Sequence, residues 1–173
     1  MELPETFVLY HGSDQEFWLR RLLAVWSWAA GSIGLNYPLV LAGLSEAGRR
    51  TLSNLAEEFG VKESVQVLPL LPLRELAAVY LRCACLLHPA PLSPWGDAVA
   101  AALALARPVV ALETTQSAAV VGPAAYLVPE GEQVARLTGA ALLTVIVEEN
   151  VAASLSQAAQ KRSQTWKQEE FAQ

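Results

Sequence analysis

The chain has 173 residues, a net charge of −5 and 53% hydrophobic residues, with a mean hydropathy of +0.31, which excludes a disordered chain and leaves room for one full-sized core. Lysine occurs only at Lys62, Lys161 and Lys167. So sparse a set of cations on an acidic chain excludes a broad nucleic-acid surface, which needs clustered positive charge to displace counterions.

The start, MELPETF, lacks a basic segment followed by an apolar stretch, so it does not read as a secretory signal and the cytoplasm is the expected compartment. FVLYH (7–11) is a buried strand with a tight exit at Gly12 and Ser13. Asp14 is placed to cap a helix running to about Ala30 and closed by Gly31 and Gly34. The stretch 22–45 has no formal charge, but Gly31, Ser32, Gly34, Asn36 and Pro38 interrupt it. It therefore reads as a helix end, a turn and a strand, not a membrane span.

PLVLAG (38–43) is the second strand and 46–59 the second helix, with Gly60 past its end. SVQVLPL (64–70) is the third strand, and Pro72 fits the first turn of a helix, LRELAAVYLR, ending at Arg82. CACLLH (83–88) is the fourth strand, 96–106 the fourth helix, PVVAL (108–112) the fifth strand and AAYLVP (124–129) the sixth. Helices follow over about 133–149 and 151–166, the last within a C-terminal helical segment 151–173. Cys83 and Cys85 read as neighbours on one strand pointing the same way, a spacing poor for a structural disulfide. Without His or Cys partners nearby they also make no metal site, so they read as buried, inert thiols.

Strands apolar throughout must be covered on both faces, and strict alternation of strand and helix demands right-handed crossovers between parallel strands. The fold class is therefore α/β, a Rossmann-like doubly wound parallel six-stranded sheet with helices on both faces, one domain over 1–173 with 1–6 as a linker remnant. Ligands in such sheets sit beyond the carboxyl ends of the strands where the winding reverses. In the order 3-2-1-4-5-6 the first and fourth strands are neighbours there, so His11 and His88 share one crevice mouth. Each reads either as a satisfied structural histidine or as a donor to a phosphate or sugar hydroxyl. Gly12 and Ser13 leave backbone amides near a helix N-terminus, which suits an anion but equally suits an ordinary turn. The first helix, EFWLRRLLAVWSWAA, is apolar around more than one face, as in a buried helix or one that meets another domain or subunit.

FVLYHGS, PLVLAG, the long run VQVLPLLPLRELAAVYLRCACLLHPAPLSPWGDAVAAALALARPVVAL and SAAVVGPAAYLVPEG together resemble the C-terminal, donor-binding half of a GT-B retaining glycosyltransferase of family 4, also called group 1. The anchors are the ELAAVY helix leading into a short apolar strand, ARPVVA, similar to the family's G-x-PVVA, and VVGPAAYLVPEG, similar to its VVG-x-AA-x-LV-x-P. The resemblance implies the donor half of an enzyme that transfers a hexosyl group from a nucleotide-sugar such as a UDP- or GDP-sugar, with no metal or other cofactor. It implies as partners an N-terminal acceptor domain, in the same or a separate chain, and a nucleoside diphosphate. Nucleic acid and a transmembrane segment are not expected; peripheral membrane association would act through the other half.

Most of the family's donor-binding groups are replaced. Gly12 is kept, but Ser13 or Asp14 stands where the family has Arg, and its Lys falls near Phe17. Aligned through PVVA, the two carboxylates of the family's E-x7-E motif fall on Ser93 and Ala101, Trp95 matches its aromatic residue and Gly96 its second loop glycine; the Glu of its P-E-VVG segment is Ala119. Asp97 is the carboxylate left near the loop, read as a helix cap or a sugar-hydroxyl acceptor. Arg20, Arg21 and Arg107 are the remaining arginines considered as substitutes, the first two read as solvated and the third as lying at the opposite sheet edge. No residue is assigned as catalytic. Three readings stay open: a donor half that is inactive alone because transfer occurs between two domains, a non-catalytic GT-B-like module with a structural or partner-binding role, and another doubly wound binding domain of flavodoxin-like type. The last wants a phosphate loop richer in Gly and hydroxyls than GSDQEFW. MELPETF itself resembles an interdomain linker, as an excised piece or a separately encoded half would have.

Overall fold

The central short apolar runs become strands buried from both sides, while the two edge runs are only partly covered. The computed structural model describes residues 2–91 and 97–171. Its strands are β1 (Val8–His11), β2 (Leu39–Ala42), β3 (Val65–Val67), β4 (Cys85–His88), β5 (Val109–Glu113) and β6 (Tyr126–Pro129). All pair in parallel in the order β3-β2-β1-β4-β5-β6. The expected fold class and strand order are therefore those observed. The helices are α1 (Glu16–Ile33), α2 (Glu46–Glu58), α3 (Leu73–Arg82), α4 (Asp97–Ala104), α5 (Thr115–Val121), α6 (Val134–Val147) and α7 (Glu149–Phe171).

Alternation along the strands divides the core into two layers. Val8, Tyr10, Leu39, Leu41, Cys85 and Leu87 face α1, α2 and α6. Leu9, Val40, Ala42, Leu86 and Ala111 face α3, α4 and the end of α5. The last helix serves both layers: Leu155 belongs to the first and Ala159 to the second. No single helix among the described residues is long and apolar enough to cross a membrane.

Several local expectations are corrected. Gly31 lies inside α1, which continues to Ile33, and Gly34 ends it in a right-handed conformation with its N–H bonded to Ala30 O at 2.8 Å. The strands are shorter than their apolar runs except for β5, which keeps five residues but is shifted by one to end on Glu113. Cys83 ends α3 instead of opening β4, so it packs in the layer opposite to Cys85. Both thiols are buried, which pushes Cys83 up to about 12 and Cys85 further in the same direction. Helix α5 has no counterpart in the sequence reading. Its start is fixed by a capping box in which Thr114 Oγ1 accepts from Ser117 N and Ser117 Oγ accepts from Thr114 N.

Candidate functional site

The winding reverses between β1 and β4, and their register sets Val8 beside Cys85 and Leu9 beside Leu86. Continuing it brings His11 level with His88, both on the α3/α4 side of the sheet. The tyrosine of the ELAAVY helix, which the sequence reading passed over, completes this corner. Tyr80 is buried, and its hydroxyl lies 2.7 Å from His11 Nδ1 with the two rings edge to face. His88 is 8% exposed, and its Nδ1 has no hydrogen-bond partner among the described residues. Burial holds the His88 imidazole below the usual histidine range; the Pro91 carbonyl opposes this and the nearby His11 adds to it. His88 is thus neutral at physiological pH and offers a hydrogen-bonding edge, not a cation.

The exit from β1 is tied into the fold. Tyr10 Oη donates to Ser13 O at 2.7 Å, and Ser13 Oγ accepts from Gln15 N at 3.2 Å. A side chain at Gly12 would place its Cβ 2.9 Å from Tyr10 Oη. Asp14 does not cap α1: Gln15 occupies that position without a side-chain hydrogen bond. The Asp14 carboxylate reaches instead to the next loop, accepting from Ser45 N at 3.1 Å and from Ser45 Oγ, while Ser45 Oγ caps α2 through Gly48 N. That reach needs a bare backbone at Gly48, where a Cβ would lie 2.7 Å from Asp14 Oδ2.

The Ser45 hydroxyl and amide hold the Asp14 carboxyl below its usual value. Its stabilising effect is complete above the ordinary carboxylate value of about 4 and fades as the pH falls through the lowered folded-state pKa. Asp14→Asn should cost roughly 1–2 kcal/mol at neutral pH and flatten the acid limb of the stability curve. Urea denaturation across the acid range checks both effects.

The arginines considered as substitutes are engaged. Arg20 pairs with Glu58 at 2.5 Å and with Glu16 on its own helix. Arg21 is not solvated: it pairs with Glu130 at 2.7 Å and stacks over Phe17 and Trp18, with its side chain 19% exposed. These partners lie on α2 and beyond β6, so spacing along α1 could not reveal them. Arg107 precedes β5 at the opposite edge, as expected, and its Nε donates to Leu105 O. Glu113, missed in the sequence reading, ends β5 exposed at the carboxyl edge. Ala101 and Ala119 are described and bring no carboxylate. Ser93, Trp95 and Gly96 lie outside the described residues, and Asp97 opens α4.

A cavity of about 380 Å³ opens elsewhere, beside α7, lined by Pro123, Ser154, Lys161 and Arg162 among others. Arg162 already donates to Ala119 O and Val120 O. Because Pro123 leads into β6, this cavity lies near the amino edge of the sheet, away from the histidines. Among the described residues no cluster of His, Cys, Asp and Glu could hold a metal ion.

A profile of the family described as Glycosyl transferases group 1 matches residues 24–162. Among solved structures, the chain is similar to WaaG, a glycosyltransferase involved in lipopolysaccharide biosynthesis, at 19% identity and a TM-score of 0.78, covering 93% of this chain and 43% of that one. It is similar to the C-terminal domain of a group 1 family protein, LpcC, from Francisella tularensis, at 11% identity and a TM-score of 0.76, covering 94% and 87%. The HepE protein of Anabaena, in complex with UDP and glucose, matches at 18% identity and a TM-score of 0.70, covering 98% and 49%. The chain thus spans less than half the length of WaaG and HepE and most of an isolated C-terminal domain. A search of curated proteins finds no match.

Proposed function

The chain belongs to the glycosyl transferases group 1 family, and from that premise we propose that it is the half that holds a nucleotide-sugar donor for hexosyl transfer. The observation that supports this reading is the mouth between β1 and β4, where His11, Tyr80 and His88 meet the Gly12–Ser13 turn near the amino end of α1. Backbone amides and the dipoles of α1 and α4 would face the diphosphate. The imidazoles would hydrogen-bond phosphate or sugar oxygens, and Glu113 would accept from sugar hydroxyls. Transfer itself would require an acceptor domain across the crevice, so this chain alone would bind without turning over.

The arrangement predicts weak binding. Two charge-assisted contacts are replaced, each worth roughly 1.5–3 kcal/mol. Because the HepE structure holds UDP, UDP is the first ligand to test, with GDP beside it. At millimolar concentration one of them should raise the melting temperature and shift the ring signals of His11 and His88. Ser13→Glu, at an exposed position that spares the Tyr10 contact, should abolish both responses.

A second reading, a non-catalytic module, is favoured by one observation: Arg20 and Arg21, the two arginines of α1 considered as substitutes for the diphosphate-binding cations, are bound by Glu58 and Glu130 instead of being held open for a ligand. Absence of any response to either diphosphate supports that reading over the first.

A further inference from the structure

The outer surface of α6 has an ordered pattern that the donor crevice does not use. Leu137, Ala140 and Val147 are exposed along one stripe, Leu137 at 40% and Val147 at 65%. Thr144 completes the stripe, and its hydroxyl is already turned back to Ala140 O at 3.0 Å. Beside it on α1 stands Trp28, 56% exposed, whose Cβ lies over Gly139. From 137 to 147 on α6 and from 22 to 33 on α1 there is no charged residue. Charges return only at the ends of the stripe: Arg136 at one and Glu148 at the other, and neither has an ion-pair partner among the described residues.

We infer that this face binds a second copy of the same chain, with α6 packed antiparallel on its twofold mate. If the two helices cross midway between Ala140 and Thr144, Ala140 meets Thr144, Leu137 meets Val147 and Arg136 meets Glu148, each pair occurring twice. The stripe is thus self-complementary in both apolar contact and charge, as an isologous interface requires. An acidic chain of net charge −5 repels its copy over most of its surface; this neutral strip with opposite charges at its ends is where the repulsion is relieved. The small residue at the crossing, Ala140, allows close approach, and Trp28 supplies the bulky anchor at its flank.

Sedimentation velocity on the full chain tests the inference, with circular dichroism confirming that each variant is folded. The native chain should sediment as a dimer at micromolar concentration, and Ala140→Glu, at an exposed position, should leave it monomeric. Arg136→Glu should weaken association by about tenfold, since it sets like charges together at both ends of the interface, and adding Glu148→Arg should restore it. A native chain that stays monomeric at high micromolar concentration overturns the inference. So does a dimer indifferent to Ala140→Glu or to Arg136→Glu, or a monomer that instead sediments with phosphatidylcholine vesicles through this face.

Discussion

Replacing Trp26 by alanine should destabilise the chain by about 3–5 kcal/mol, the range for emptying a buried tryptophan site. Trp26 is fully buried on α1, in the layer between that helix and the sheet. Its Nε1 donates to Ser64 Oγ at 2.9 Å, and Ser64 Oγ in turn donates to Val61 O at 3.0 Å. The indole therefore ties α1 to the turn that starts β3. Trp26→Phe keeps most of the bulk and loses the hydrogen bond, so it should cost less. Urea unfolding followed by far-ultraviolet circular dichroism is the suitable measurement, because four other tryptophans confuse fluorescence. A midpoint for Trp26→Ala close to that of the native chain would show that the site collapses without penalty, contrary to this packing.

The second large effect belongs to Gly139. A Cβ there would lie 2.6 Å from Trp28 Cβ and 3.1 Å from the backbone oxygen of Val25. Neither neighbour is the far end of a flexible side chain, so α6 must move away from α1. Gly139→Val should cost about 2–3 kcal/mol through overpacking and loss of χ1 freedom. Gly139→Ala should also destabilise, against the roughly 1 kcal/mol that alanine ordinarily gains over glycine inside a helix. Gly31, in α1 with nothing within 4 Å of its would-be Cβ, is the internal control. There the alanine variant should show the ordinary gain, and equal behaviour at the two sites would remove the steric explanation. Melting curves of the three variants decide the matter.

The layers of the fold were legible in the sequence because a strand covered on both faces has to be largely apolar, as LVLA is throughout and CLLH is up to His88. Alternation implied a parallel doubly wound sheet but not its strand order; the observed order, β3-β2-β1-β4-β5-β6, is what gives His11 and His88 a shared location. What escaped was decided by partners distant in sequence or by very local geometry. Tyr80 meets His11 across 69 positions, and Arg21 meets Glu130 across 109. Asp14 carried the signature of a cap and is used as one link in the next loop, because Gly48 opens a space that no periodicity reveals. Helix α5 is short and made of Ala, Val and Thr in the main, so its periodic signal is faint; the Thr114 and Ser117 pair was the readable clue. CACLLH reads as one strand, which sets both cysteines on one face; α3 in fact ends at Cys83, and a helix end at that point reverses the side it packs on.

The position of β1 has a kinetic consequence. It is the earliest strand in the sequence, yet it lies in the middle of the sheet between β2 and β4. During synthesis its second edge stays unpaired until β4, which begins at Cys85, has been made. At about 5–20 residues per second that is an interval of several seconds. Over that interval a largely apolar strand presents an open edge, so the nascent chain is most prone to misassociation before β4 is added, and docking of β4 on β1 is the long-range step expected to limit folding.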